Sequence, residues 1–317
     1  MNIVFCADRV VLPGLHVAAY SVLENIRFSP EVNQVSFSIF SDVLDESDAT
    51  LLRQTLAPLK KDFTLALRRM DVSKLAGFPP LNSSLAAYYR ILAAQIIDAD
   101  RFLYLDADIL CDMDISKLYR IDMGTRPAGM VPEAPLSGAV DRFVAQQLGN
   151  SSSEPYFNSG VILANVVEWR RQRVSERAIE YITKNRPPYH DQSALNAILH
   201  GNIMPLDERF NCIANMRKNW PFLKQPYGKT GRLVHFVDYP KPWDLMGEFL
   251  HPQYRHWRAV LDKTAMKNFR SWHATPSRKF PRSPKAKVGY RKAFKDKLLF
   301  GSYSRGLLKE VKGVVQS

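Results

Sequence analysis

The sequence predicts an α/β protein with a parallel sheet in its N-terminal half and a basic, helical C-terminal extension. Three observations support this. Short apolar or alternating runs of strand character begin at the first residues and recur around positions 35–40, 63–70 and 101–105. Stretches with helical spacing separate them, which is the order expected of a parallel α/β sheet. Past about Phe249 the composition turns basic and aromatic.

Residues 1–7 read as a short buried strand ended by Asp8, with Pro13 and Gly14 in the loop that follows. Residues 16–25 (HVAAYSVLEN) have helical spacing, and 35–40 alternate like a strand. Residues 51–59 look helical and end near Pro58, and 63–70 alternate again. After Pro79 and Pro80 the pattern predicts a helix over 84–97, with Asn82 or Ser83 as its N-cap. Arg101-Phe102-Leu103-Tyr104-Leu105 is an apolar strand core that emerges as Asp106-Ala107-Asp108. Strands over 159–165 and 233–237 and helices opening near Val166 and His190 complete the pattern. Pro240 and Pro242 make 238–243 a rigid loop.

The apolar fraction of 46% suits a chain of 317 residues that buries a sizeable core. The N-terminus has neither a basic leader nor a long apolar segment, so the sequence predicts no secretory signal and a cytoplasmic protein. Its longest apolar stretches, such as 160–167, fall far short of the ~20 residues of a membrane span. Cys6, Cys111 and Cys212 are scattered without CxxC spacing, which fits small buried side chains rather than disulfides or a zinc site.

The charge is uneven. Between Arg278 and Lys312 twelve Lys/Arg face only Asp296 and Glu310, so +10 of the whole-chain +13 belongs to the tail. Leu307, Leu308, Val311, Val314 and Val315 fall on one helical face there, with Lys309 and Lys312 on the other. With Phe280, Tyr290, Phe294 and Tyr303, this composition suits an anionic membrane surface. A helix packed on the catalytic body is the alternative. No recognition motif accompanies the charge, so nucleic acid is not expected. The predicted division is a catalytic domain over 1–250 and a basic extension over 251–317.

FLYLDADIL carries the sharpest chemical signal. In a strand, residues i and i+2 point the same way, so Asp106 and Asp108 can face one site. They lie where an apolar strand ends, the usual ligand position in α/β sheets. With no nearby Lys or Arg to neutralise them, two carboxylates call for a hard divalent cation, which commonly bridges to substrate phosphates. Solvated strand-end aspartates are the plain alternative. A phosphatase of the haloacid dehalogenase type also places DxD after an apolar strand, but it wants Thr or Val where Leu110 stands. His235, after the strand at 233, can complete a carboxylate site, and a mixed oxygen and nitrogen set favours Mn²⁺ over Mg²⁺. Lys241, between Pro240 and Pro242, can reach a diphosphate.

Taken in order, IVFCAD, YYRIL around Arg90, YLDADIL, YFNSGVILAN around Asn158, HDQSALN around Gln192 and HFVDYPKPW make residues 1–243 resemble glycosyltransferase family 8. That group contains bacterial lipopolysaccharide and lipooligosaccharide galactosyl- and glucosyltransferases and the self-glucosylating glycogenins. The resemblance implies a GT-A-type fold with a Rossmann-like nucleotide-binding half, and retaining transfer of a hexose from a UDP-sugar to a glycan or lipid-linked acceptor.

Position by position, it implies that Ala7 and Asp8 contact uridine, while Arg90 and Ala107 also serve the donor. Asp106, Asp108 and His235 would hold Mn²⁺, with Mg²⁺ as the alternative, and Lys241 would touch the diphosphate. Asn158, Asp191 and Gln192 would line the sugar pocket, with Gln192 near the anomeric carbon, and Gln192, Asp191 and Arg90 would be the catalytic residues. Glu133 is the candidate for a further acidic position. The chain departs from the family where Asp238 stands for a glycine and where Arg9, Val10 and Val11 replace a more polar turn. A basic tail then predicts attachment to the inner face of the plasma membrane. The competing expectations are a catalytically silent sugar-nucleotide binder and a glycogenin-like self-glucosylating protein.

Overall fold

The computed structural model describes residues 1–80, 84–149, 153–214, 228, 230–237, 239–251, 253–271 and 287–295. Strands β1 (Asn2–Cys6), β2 (Val35–Ser41), β3 (Phe63–Arg69) and β4 (Arg101–Asp106) lie parallel in the order β3-β2-β1-β4. Helices α1 (Leu12–Asn25), α2 (Glu46–Leu56) and α3 (Ala86–Ile96) connect them, so the N-terminal half is the parallel arrangement expected. Beyond β4 the sheet turns mixed. Strand β7 (Pro155–Asn165) runs antiparallel to β4, β6 (Ala128–Pro135) antiparallel to β7, and β8 (Ile203–Pro205) parallel to β6.

Strand β1 is buried from Ile3 onward and β7 from Tyr156 to Ala164, as strands covered on both faces should be. One apolar cluster joins one face of the sheet to α1 and to α10 (Tyr254–Leu261). The other joins the opposite face to α3, α6 (Val166–Arg171), α7 (Val174–Asn185) and α8 (His190–Ile198). A small second sheet, β5 (Ile109–Cys111), β10 (Leu233–His235) and β9 (Cys212–Ile213), packs against α1. Short helices α4 (Ser116–Tyr119), α5 (Arg142–Gln147) and α9 (Gly247–Leu250) complete the set used below.

Several boundaries differ from the sequence expectation for identifiable reasons. Helix α1 starts at Leu12, so Pro13 and Gly14 lie in its first turn rather than in a loop. Proline is tolerated there because its missing N–H has no helical partner. A Cβ on Gly14 would stand 2.5 Å from both the Ala107 carbonyl oxygen and the Trp243 ring. Helix α2 begins at Glu46, not 51, because Asp45 and Asp48 form a reciprocal capping box. It ends at Leu56, with Ala57–Leu59 as a 3₁₀ turn. Helix α3 starts at Ala86, and the cap expected at Asn82 or Ser83 lies outside the described residues.

The three cysteines are free and buried. Among the described residues no helix is long and apolar enough to cross a membrane. The first part of the extension is docked: Trp257, Val260 and Leu261 of α10 are fully buried, and the Trp257 ring lies 5.8 Å from that of Trp243. Residues 287–295 are helical, and Tyr290 is buried there, its hydroxyl donating to the Leu245 carbonyl oxygen at 2.7 Å. Tyr290 therefore faces the body of the protein rather than an outer surface, whereas Phe294 is exposed. The apolar face at Leu307–Val315, together with Phe280 and Tyr303, lies outside the described residues.

Candidate active site

Strand order reverses at the β1/β4 border, where an α/β sheet opens a crevice at its carboxyl edge. Ala7 and Asp8 leave β1 on one side of it, and Asp106 ends β4 on the other. Asp108 is not on β4. The chain turns after Asp106 and pairs again as β5, so the two carboxylates converge through a turn instead of strand alternation. Antiparallel pairing of β5 with β10 sets His235 opposite Ile109 and brings the imidazole to the turn. His235 Nε2 lies 3.4 Å from Asp106 Oδ2 and 3.2 Å from Asp108 Oδ1. One ligand atom from each of the three residues falls within 4.8 Å of the others.

The carboxylates do have cationic neighbours, contrary to the sequence expectation. Arg90 Nη2 pairs with Asp106 Oδ1 at 2.8 Å, and Lys241 Nζ with Asp108 Oδ2 at 2.6 Å. Neither was visible as a neighbour because α3 and the 240s loop meet the Asp-Ala-Asp turn only in the fold. Each pairing occupies one carboxylate oxygen and leaves the other, Asp106 Oδ2 and Asp108 Oδ1, turned toward His235. Burial alone would raise the Asp108 pKa. The Lys241 ammonium, paired with Asp108 Oδ2, opposes this and holds the carboxyl well below the usual range.

His235 is oriented from behind. Its Nδ1 lies 2.8 Å from Asn211 Oδ1, Asn211 Nδ2 donates to Asn158 Oδ1 at 2.8 Å, and Asn158 Nδ2 donates to Glu133 Oε2 at 3.2 Å. Glu133 can only accept when ionised, so the direction of every amide in the chain follows. The proton of a neutral His235 then sits on Nδ1, and the Nε2 lone pair faces two carboxylate oxygens. Three lone pairs aimed at one point are mutually repulsive unless a cation lies between them, so this donor set fits a divalent metal. Gly160 makes the approach possible, since a Cβ there would lie 2.2 Å from His235 Cε1 and 2.8 Å from Asp106 Oδ2.

Arg90, on α3, is buried and held from several sides. Its Nε lies 3.3 Å from Asp191 Oδ2, its Nη1 donates to the Ser159 carbonyl at 2.7 Å, and its guanidinium stacks 4.5 Å over the Tyr104 ring. The Tyr104 hydroxyl donates to Asp106 Oδ1. Burial opposes the Arg90 charge, but Asp106 and Asp191 more than compensate, so its proton is held more tightly than usual. Burial raises the Asp191 pKa, with Arg90 pulling the other way. Gln192, on α8, accepts from the Ser159 N–H at 3.0 Å and donates to Tyr156 and Glu133 at 3.3 and 3.5 Å.

The structure thus gathers Arg90, Asp106, Asp108, Asn158, Asp191, Gln192, His235, Lys241 and Glu133 into connected bonding networks. Ala7 is buried and bonded to Phe40, and Ala107 is buried beside Gly14. Asp8 Oδ1 accepts from the Val10 and Val11 N–H groups at 2.7 and 3.1 Å, shaping the entry to α1. Arg9 turns away to pair with Asp45 and Asp48. Asp238 lies outside the described residues. Sequence reasoning missed Asn211 and Gly160. A carboxamide and a glycine advertise no chemistry alone, although Gly160 stands inside the YFNSGVILAN block.

The family model for glycosyl transferase family 8 matches residues 2–247. The chain is similar to a lipopolysaccharide 1,2-glucosyltransferase of Escherichia coli K12, at 26% identity over 97% of this chain and 88% of that protein. It is also similar to a lipopolysaccharide 1,3-galactosyltransferase of Salmonella typhimurium, at 29% identity over 80% of this chain and 76% of that one. Among solved structures, the galactosyltransferase LgtC in complex with donor and acceptor sugar analogs superposes with a TM-score of 0.67. That match has 24% identity and covers 83% of this chain and 96% of LgtC, and it shows the expected GT-A-type fold.

Proposed function

This chain belongs to glycosyltransferase family 8, and on that premise we propose that it is a retaining hexosyltransferase moving galactose or glucose from a UDP-sugar to a lipopolysaccharide or another lipid-linked glycan. The observation that carries the reading is the convergence of Asp106 Oδ2, Asp108 Oδ1 and His235 Nε2 at the carboxyl edge of the sheet. Relatives whose names specify glucosyl or galactosyl transfer to lipopolysaccharide support the substrate class.

Breaking the sugar–phosphate bond leaves negative charge on UDP and positive character on the sugar. Asp106, Asp108 and His235 would hold Mn²⁺, or Mg²⁺ in its place, and the ion would supply neutralising charge to the diphosphate. Lys241 adds a second positive charge at the same edge, an incoming diphosphate competing with Asp108 Oδ2 for its ammonium. Arg90 pairs with both Asp106 and Asp191 and would hold them in place for the donor. Ala7, Asp8 and Ala107 flank the crevice where uridine and ribose would lie, and Asn158, Asp191 and Gln192 line the sugar side.

Retention needs two displacements or attack from the leaving-group side, and a double displacement wants a free nucleophile beneath the anomeric carbon. Gln192 is a neutral amide, and Asp191 is buried against Arg90 and Ser159. We therefore favour front-face attack by the acceptor hydroxyl, with Gln192 stabilising the cationic sugar.

The basic extension would hold the enzyme on the anionic inner leaflet, at ~1 kcal/mol per Lys or Arg near the surface. That places it in the cytoplasm, against the membrane that carries its acceptor.

UDP release from a panel of UDP-sugars, with Mn²⁺, Mg²⁺ or EDTA, tests this reading. One hexose donor should be hydrolysed slowly without acceptor, need metal, and survive in Asp106→Asn or Asp108→Asn proteins only at background rate. UDP binding without turnover of any donor would favour a silent binder, and a mass increase of the protein itself would favour self-glycosylation. No metal-dependent binding of UDP would sink the proposal.

A further inference from the structure

We propose that Asp141, acting through the Tyr156 hydroxyl, sets the orientation of the Gln192 carboxamide and is a positioning residue for sugar transfer. The proposal rests on the hexosyltransferase reading above.

Asp141 precedes α5 and is 1% exposed, yet among the described residues it makes no ion pair. Three donors satisfy it: the Val144 N–H at 3.2 Å, the Tyr156 hydroxyl at 3.0 Å and the Ser193 hydroxyl at 2.5 Å. The first is an ordinary helix cap, which an asparagine supplies as well as an aspartate. A carboxylate is needed only if both hydroxyls must donate, because it alone offers no competing N–H.

That requirement has a consequence at Gln192. Tyr156 has one proton and gives it to Asp141, so toward Gln192 Nε2, 3.3 Å away, it can only accept. Burial and the Asp141 charge push the Tyr156 pKa up, so the proton stays. Gln192 must then present its NH₂ to Tyr156 and Glu133 and its Oε1 to the Ser159 N–H. Freed from Asp141, the same tyrosine could donate to a flipped amide and would no longer oppose that orientation, leaving the Ser159 N–H and the 3.5 Å contact with Glu133 to hold the amide. Ser193 reinforces the arrangement. Its hydroxyl donates to Asp141 and accepts from the Tyr189 N–H at 3.1 Å, which pins the first turn of α8, where Asp191 and Gln192 stand.

The test is a cycle of Asp141→Asn, Tyr156→Phe and the double variant, assayed for UDP release from UDP-glucose and UDP-galactose with Mn²⁺. UDP affinity by calorimetry and thermal midpoints are measured alongside. Each single substitution should lower kcat about tenfold, the scale of one misdirected hydrogen bond, with UDP affinity held within about twofold. The double variant should be no slower than Tyr156→Phe alone. Unchanged kcat in Asp141→Asn, multiplied losses in the double variant, or a loss that follows weakened UDP binding would overturn the proposal. If Asp141→Asn does not fold, Tyr156→Phe keeps the Val144 and Ser193 bonds, and unchanged kcat there overturns it equally. A wild-type protein that binds UDP but turns over neither donor would instead count against the hexosyltransferase reading.

Discussion

The 2.8 Å hydrogen bond between His235 Nδ1 and Asn211 Oδ1 decides which nitrogen the imidazole turns toward Asp106 and Asp108. The Glu133 carboxylate, two amides further back, gives that bond its direction. Such outer contacts on metal-binding histidines commonly change metal affinity 10–100-fold.

Asn211→Leu should therefore weaken Mn²⁺ binding by roughly 10–100-fold without unfolding the protein. Calorimetry of UDP at several Mn²⁺ concentrations reads this directly. Unchanged Mn²⁺ dependence would mean that packing alone holds the ring.

Gly160→Ala should damage the same cluster by steric means. The added methyl would sit 2.2 Å from His235 Cε1, so the ring or β7 must shift. Overpacking of this kind costs about 1–3 kcal/mol, and the metal dependence of UDP binding should be lost with it. A variant with native urea stability and native metal response would show that the strand yields freely.

Acid should destabilise the fold through His16. This histidine is fully buried on α1, with its pKa pushed down by burial to about 3 and Nδ1 2.6 Å from the Thr55 hydroxyl. Its folded pKa lies below its unfolded one, so below about pH 6.5 the unfolded chain binds a proton that the native state refuses. Stability is then lost as pH falls from about 6.5 toward 3, by about 2 kcal/mol between pH 7 and pH 5 from this residue. Urea midpoints across that range should fall less steeply in His16→Gln, and identical slopes would rule the residue out.

Trp257→Ala should cost about 3–5 kcal/mol, because the ring is fully buried against Trp243. Trp257→Phe should cost less, since it keeps an aromatic ring and removes an indole N–H that has no partner among the described residues. A loss below about 1 kcal/mol for the alanine variant would mean that α10 only rests on the catalytic body.

Much of the architecture was legible residue by residue. Strands β1 to β4 came within one or two residues of expectation, β1 and β4 because strands buried on both faces carry consecutive apolar positions, β2 and β3 because their residues alternate. The start of α1 was hidden because Pro13 and Gly14 read as loop residues in isolation, while their helical placement depends on Trp243 and Ala107 closing over them. Asp106, Asp108 and His235 were legible through their motifs. Their counter-charges were not, since Lys241 lies 133 residues from Asp108.

The amino-acid order by itself determined the alternation of strands and helices, the Asp-Ala-Asp motif at a strand end and the family blocks. All of these depend on near neighbours and on period, which a linear chain carries openly. Only the tertiary structure decided that each carboxylate gives one oxygen to a cationic side chain and keeps the other for the site, and that Asn211 aims His235. It also decided that Asp141 reaches Gln192 through Tyr156. These relations join side chains from separate elements, and a hydrogen bond is set by distance and direction in space, which only the closed sheet and its packed helices supply.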